Sequence, residues 1–204
     1  MRIDKFIGNL WYGSRKQVSK YIKDEIIAVN GELIFDKDYE IKFGDIVHIG
    51  QEEVEYKEFV YVILNKPSGY VSSKKPEWAH YTYLDLMHSC PYGKIIDIVG
   101  RLDFDTTGLL FLTNDGELTH KVIHPKKDIF KKYYVKTLNS LTEKDIARLE
   151  NGVKIDDFIT KEAKVEIIGN NEIFLSISEW KFHQIKKMLE AVNNEVTQLK
   201  RVSI

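Results

Sequence analysis

Residues 100–110, Gly-Arg-Leu-Asp-Phe-Asp-Thr-Thr-Gly-Leu-Leu, put two carboxylates, an arginine and two threonine hydroxyls inside a stretch bounded by glycines. A carboxylate presented there has three uses. It can attack an electrophilic carbon or take a proton. Together with Asp97 or Asp115, Asp103 and Asp105 can hold Mg²⁺ for phosphodiester cleavage. Or the two aspartates simply close a turn through backbone hydrogen bonds. The flanking elements narrow the setting. Ile95, Ile96, Ile98 and Val99 read as a strand before the segment, and Leu109 to Leu112 as a buried run after it. Asp103 is thereby expected at a strand-to-loop edge, where functional groups are commonly carried.

Three other segments bear on the choice. Leu64-Asn65-Lys66-Pro67-Ser68-Gly69-Tyr70-Val71 precedes the acidic turn, while Lys131-Lys132-Tyr133-Tyr134-Val135 and Phe182-His183-Gln184-Ile185-Lys186-Lys187-Met188 follow it. In this order, the four segments resemble the motifs of the RsuA/RluB branch of RNA pseudouridine synthases over the chain from about Phe59 onward. The N-terminal strings "MRIDKFI", "SRKQVSKYI", "VNG" and "FGDIV" resemble the small S-four RNA-binding domain. Family members usually continue past a "LKRVSI" segment, so the resemblance also implies a shortened closing edge at Ile204.

The resemblance implies isomerisation of a uridine. The bond from uracil N1 to ribose C1′ breaks, the base turns, and it is rejoined through C5; nothing is oxidised or added, so no cofactor or metal is called for. Asp103 takes the place of the essential carboxylate, acting at C6, at C1′ or through a glycal route. Tyr133 matches the tyrosine that stacks on the base, with Tyr134 turned to the other face of its strand. Lys186, or Lys187 if the alignment slips by one, matches the cation that keeps the carboxylate ionised. The target nucleotide must leave its stack, at a cost of a few kcal/mol; Arg101 either braces the vacated space or pairs with Asp105. Asn65 and Lys66 are assigned to the entrance, and His183 and Gln184 to orienting backbone. The form of residues 182–188 resembles that of the member acting on small-subunit ribosomal RNA, giving as expected partner a ribosomal RNA in a partly assembled small subunit. A large-subunit substrate and a non-catalytic RNA-binding assembly protein on the same fold are the alternatives.

Composition is compatible with that reading. The 204 residues carry 30 Lys and Arg against 31 Asp and Glu, so any attraction to RNA must come from local clusters. One is Arg2, Lys5, Arg15, Lys16 and Lys20; another is Lys126, Lys127 and Lys131 just before Tyr133, with Lys187 near the last motif. These are the candidate phosphate contacts. A single cysteine, Cys90, excludes an internal disulfide and a multi-cysteine metal site. No apolar run reaches the roughly 18 residues of a membrane span, and the start of the chain lacks a signal-peptide core. A cytoplasmic monomer is expected, with no membrane partner.

The pattern of elements predicts an α+β fold. Helical spacing of Ile3, Phe6, Ile7 and Leu10, a second helix capped by Ser14, and short strands around an Asn30-Gly31 turn make a small α/β domain over residues 1–52. Residues 53–57, rich in glutamate, read as a linker. Strand-like runs alternating with helical ones over residues 58–204 form the larger domain; the resemblance implies a mixed, mainly antiparallel sheet with flanking helices and Asp103 in a cleft.

Overall fold

A computed structural model describes every residue except Trp11, Trp78, Pro125 and Lys126. The chain divides into two compact units. The first comprises residues 1–62, 84–97 and 113–115, and the second the remainder.

In the first unit, α1 (Ile3–Asn9) and α2 (Arg15–Lys23) pack with a sheet of β1 (Ile27–Val29), β2 (Glu32–Leu33), β3 (Ile46–Ile49) and β4 (Glu52–Glu55), in the order β2-β1-β3-β4. α2 starts where the sequence said it must: Ser14 accepts from the Gln17 amide while the Gln17 side chain accepts from the Ser14 amide, a reciprocal cap. Asn30 and Gly31 both have positive φ, 51° and 87°, the geometry that lets a two-residue turn follow the twist of β1 and β2. Ile3, Phe6, Ile7, Val18, Ile27 and Val47 are buried in one apolar cluster.

Residues 53–57 are not the exposed linker their composition suggests. β4 is antiparallel to β3 with Val47 opposite Val54, Val54 is buried, and Tyr56 stacks edge-on against Phe6 at 5.3 Å. A Glu-Glu-Val-Glu run places one apolar side chain inward and its glutamates in water, which is what a half-buried edge strand requires. The unit also takes in residues 84–97: Tyr92 packs on the same cluster and donates its hydroxyl to the Glu55 carbonyl at 2.5 Å. A domain boundary at residue 57 therefore cuts through packed structure.

The larger sheet is built from β5 (Tyr61–Lys66), β8 (Asp97–Val99), β9 (Thr107–Thr113), β10 (Lys131–Thr137), β13 (Lys164–Gly169), β14 (Glu172–Ile177) and β15 (Val196–Ser203). Two small ladders accompany it, β6 (Tyr70–Val71) with β7 (Tyr81–Thr82) and β11 (Lys154–Ile155) with β12 (Phe158–Ile159), as do α3 (Gly116–Ile123), α4 (Glu143–Asn151) and α5 (Gln184–Ala191). The order β13-β14-β10-β15-β9-β5, with β8 beside β9, is antiparallel from β13 to β15 and parallel between β15 and β9. This is the mixed sheet of an α+β fold. Among the described residues no helix is long and apolar enough to cross a membrane.

Candidate active site

Asp103 stands in the loop joining β8 to β9, and three side chains from elsewhere in the same unit hold that loop by its backbone. Lys66, at the end of β5, is fully buried and donates to the carbonyls of Pro67, Phe104 and Thr106 at 3.0, 3.2 and 2.9 Å. Ser72 donates to the Leu102 carbonyl at 2.7 Å and accepts from the Leu102 amide at 3.1 Å. Arg201, on β15 and buried, donates to the carbonyls of Leu109 at 2.7 Å and Gly100 at 3.0 Å. The assignment of Lys66 to the entrance is corrected: a lysine inside the fold is stable only when its N–H groups are met, and here two carbonyls of the loop and that of Pro67 meet them.

Sheet register explains the glycine at 108. Arg201 lies opposite Tyr133 on β10 and opposite Gly108 on β9. A Cβ on Gly108 would come 2.2 Å from the Arg201 carbonyl oxygen, and its φ is 99°. Only glycine allows the two parallel strands to meet there. Gly108→Ala is expected to lower the denaturation midpoint markedly, beyond the roughly 1 kcal/mol typical of a point mutation; a chemical melt checks it.

Tyr133 is buried with its neighbour Tyr134 on the more open face of β10. Burial pushes its phenol up, and the charge and side-chain hydrogen bond of Arg201 pull part of the way back, so it stays protonated at neutral pH. Asp103 itself is mostly covered, with the Lys186 ammonium and the His183 imidazole each at 4.0 Å. Lys186 bonds Asp105 directly, at 2.7 and 2.8 Å. Burial raises the Asp105 carboxyl, but the hydrogen bond and charge of Lys186, together with the Asp105 backbone amide and smaller charge effects, hold it below the usual carboxylate range. Lys187 instead pairs with Asp156, so the adjacent lysines are not interchangeable, and Lys186 is the one near both loop aspartates. Arg101 faces Glu77 at 3.8 Å, and of its two alternatives the ion pair with Asp105 is taken instead by Lys186.

A pocket opens over Asp103, bounded by Leu102, Thr106, Tyr133, Ile185 and Lys186. Two polar atoms lining residues of this pocket, Thr106 Oγ1 and Gln184 Oε1, are buried with no hydrogen-bond partner among the described residues. Gln184 donates its amide to Glu179 at 3.1 Å, which leaves the carbonyl oxygen as its open group. Gln184, assigned only to orienting backbone, is thus a pocket residue.

The expected phosphate contacts divide. Lys5, Arg15, Lys16, Lys20 and Lys127 are exposed. Arg2 is tied to Asp4 and Asp38. Lys131 is corrected: it is only 4% exposed, donates to the Ile129 carbonyl, and has its pKa lowered by burial and by Arg201, so it cannot belong to a surface track. Lys126 lies outside the described residues. Among the described residues no three of His, Cys, Asp or Glu converge as a metal site, leaving the Mg²⁺ reading of Asp103 and Asp105 without a ligand set.

Residues 60–191 match the family model described as RNA pseudouridylate synthase, and residues 1–47 match that of the S4 domain. The chain belongs to the RNA pseudouridylate synthase family. This synthase is 40% identical to the "Uncharacterized RNA pseudouridine synthase YtzG" of Bacillus subtilis (strain 168), with 100% of the chain and 87% of the relative covered. It is 34% identical to the "Ribosomal small subunit pseudouridine synthase A" of Escherichia coli (strain K12), covering 100% and 89%. It is 32% identical to the "Ribosomal large subunit pseudouridine synthase B" of Bacillus subtilis (strain 168), covering 98% and 84%. A solved structure, "Crystal structure of pseudouridylate synthase", aligns with a TM-score of 0.66 at 33% identity over 98% of this chain and 87% of that one. The synthase is thus of the RsuA/RluB type, with the S4 domain first and an α+β catalytic fold after it.

Proposed function

We propose that this synthase converts one uridine of small-subunit ribosomal RNA to pseudouridine in a partly assembled particle in the cytoplasm, acting as a monomer with Asp103 as its nucleophile. The observation that carries the chemistry is the loop: it is fixed by Lys66, Ser72 and Arg201 so that Asp103 faces a pocket floored by Tyr133. A nucleophile held by a rigid frame is spared the entropy of being positioned. The extruded uracil enters above Tyr133, beside the buried Thr106 and Gln184 oxygens that lack a hydrogen-bond partner among the described residues, and the Lys186 ammonium stands 4.0 Å from the Asp103 carboxylate. Arg101, half exposed beside the pocket, is the side chain placed to brace the vacated stack.

The choice of small-subunit RNA rests on the form of residues 182–188; the two ribosomal relatives, at 34% and 32% identity, do not decide it. Reverse transcription of carbodiimide-treated ribosomal RNA from cells with and without the protein tests both levels. Loss of one stop in small-subunit RNA is expected. A lost stop in large-subunit RNA would overturn the substrate, and no lost stop in either would overturn the activity.

Docking is assigned to the cations of the S4 domain. Replacing exposed Arg15, Lys16 and Lys20 of α2 by glutamate should weaken RNA binding and flatten its dependence on salt by up to about three in log–log slope, with turnover on saturating RNA retained. Filter binding across a salt series reads this; an unchanged slope would remove α2 from the interface.

A further inference from the structure

A second groove adjoins the catalytic pocket and shares Arg101, Leu102, Asp103, Trp180 and His183 with it. Its walls add Phe104 from the catalytic loop and Phe182 from the approach to α5. These aromatic side chains are unusually open: Phe182 is 65% exposed, Trp180 46% and Phe104 41%. The rings are also braced. Phe182 stacks on His183 with centroids 3.9 Å apart at 18°, and Phe104 lies 4.3 Å from the His80 ring. His183 adopts a left-handed backbone, φ 53° and ψ 31°, a conformation uncommon for a residue with a side chain.

Apolar area left in water beside a catalytic centre marks a surface that something covers. The something is constrained by the neighbouring pocket. A polymer whose reacting unit sits over Asp103 continues through the opening that shares Asp103 as its border, and that opening is walled by rings. Besides the rings the groove is lined by Arg101, set against Glu77 at 3.8 Å, by Ser72, whose hydroxyl is taken up by the Leu102 backbone, and by Asp103 and His183 at its border with the pocket. Such a surface holds flat π-systems on a negatively charged strand, and it does so regardless of their sequence.

We propose that this groove binds the nucleobase next to the target uridine, stacked on Phe182 and faced by Phe104, on the side of the vacated stack that Arg101 braces. The proposal rests on the reading of the chain as an RNA-modifying synthase and names how that RNA leaves the pocket. The target is then reached as part of a splayed strand, in which the flanking base exchanges its helical neighbour for a protein ring.

The groove can be read without turnover. A single-stranded RNA carrying 2-aminopurine beside a central uridine is titrated with the full-length protein, with Phe182→Ala and with Phe182→Tyr. Stacking quenches 2-aminopurine; the quench is expected in the parent, lost in Phe182→Ala and kept in Phe182→Tyr. With ribosomal RNA labelled at uridine C5, tritium release by Phe182→Ala should show a KM raised about tenfold or more, the range for one lost base stack, and kcat within about threefold. No quench in the parent, or an undiminished one in Phe182→Ala, overturns the groove. An absence of tritium release by the parent alongside a Phe182-dependent quench would sink the isomerase reading and leave the groove standing.

Discussion

Asp103→Asn is expected to abolish pseudouridine formation, with kcat down on the order of 10⁴-fold or more, while the fold and RNA affinity stay near those of the parent. The substitution keeps size and hydrogen-bonding capacity and removes the charge that every route through C6, C1′ or a glycal requires. Among the described residues the side chain makes no bond to the loop's own frame: Lys186 and His183 stand at 4.0 Å, and the backbone around it is secured by Lys66, Ser72 and Arg201. Only the Coulombic support that Asp103 lends the buried Lys66 ammonium is withdrawn with the charge. Asp105→Asn acts differently. It releases Lys186 from a pair of short bonds, and activity should drop about tenfold through misplacement of the cation. Tritium release measures both; a dead Asp105 variant beside an active Asp103 variant would reassign the site.

Lys66→Met should be nearly as severe by another route. The thioether matches the aliphatic stem in length but leaves the carbonyls of Pro67, Phe104 and Thr106 without a donor. An unmet buried acceptor costs about 1–3 kcal/mol, partly offset by relief from burying the ammonium, so a net loss of about 2–4 kcal/mol in a denaturant melt is expected, with kcat down roughly 100-fold. The same lysine sets a pH dependence. Burial lowers its pKa to about 8 against the opposing pull of Asp105 and Asp103. Below pH 8 both the native and the unfolded chain hold the proton, and the cost of burying the charge is borne in full. From pH 8 to the ordinary lysine value of 10.5 the unfolded chain binds more protons than the native one, so this group's contribution to stability rises with pH. Activity moves the other way, because a neutral amine has two N–H groups for three carbonyls. A rate profile falling above about pH 8 with no matching fall in unfolding free energy is the expected signature; a stability loss that tracks the rate would contradict it.

That Asp103, Tyr133 and Lys186, the residues proposed for catalysis, line one pocket follows from types and order carried in short strings: Asp103 in a glycine-bounded loop, Tyr133 on an alternating strand, Lys186 on a helix. Strands and helices with clear periodicity, such as β10, β14 and α4, were legible for the same reason. What the sequence hid were positions whose role depends on partners far along the chain. Lys66 and Lys131 look like surface cations until sheet pairing buries them, and Arg201 sits in a terminal string from which only a shortened closing edge was expected, whereas β15 lies inside the sheet with Arg201 opposite Tyr133 and Gly108. β4 was mistaken for a linker because its only inward residue is Val54, and one valine among glutamates has too little apolar content to announce a strand. The groove around Phe182 was hidden differently: exposure of an aromatic ring is a property of the fold, and composition is silent on it.

Lys66 and Arg201 grip the catalytic loop only by peptide oxygens, those of Phe104, Thr106 and Gly100 among them. Every amino acid supplies that oxygen, so the frame is indifferent to which side chains the loop displays. Phe104 can be exchanged, and the neighbourhood of the reacting base redrawn, without disturbing the placement of Asp103. The loop is in this sense a socket with an interchangeable face, through which the substrate preference of such an enzyme can drift or be re-engineered while its chemistry stays where it is.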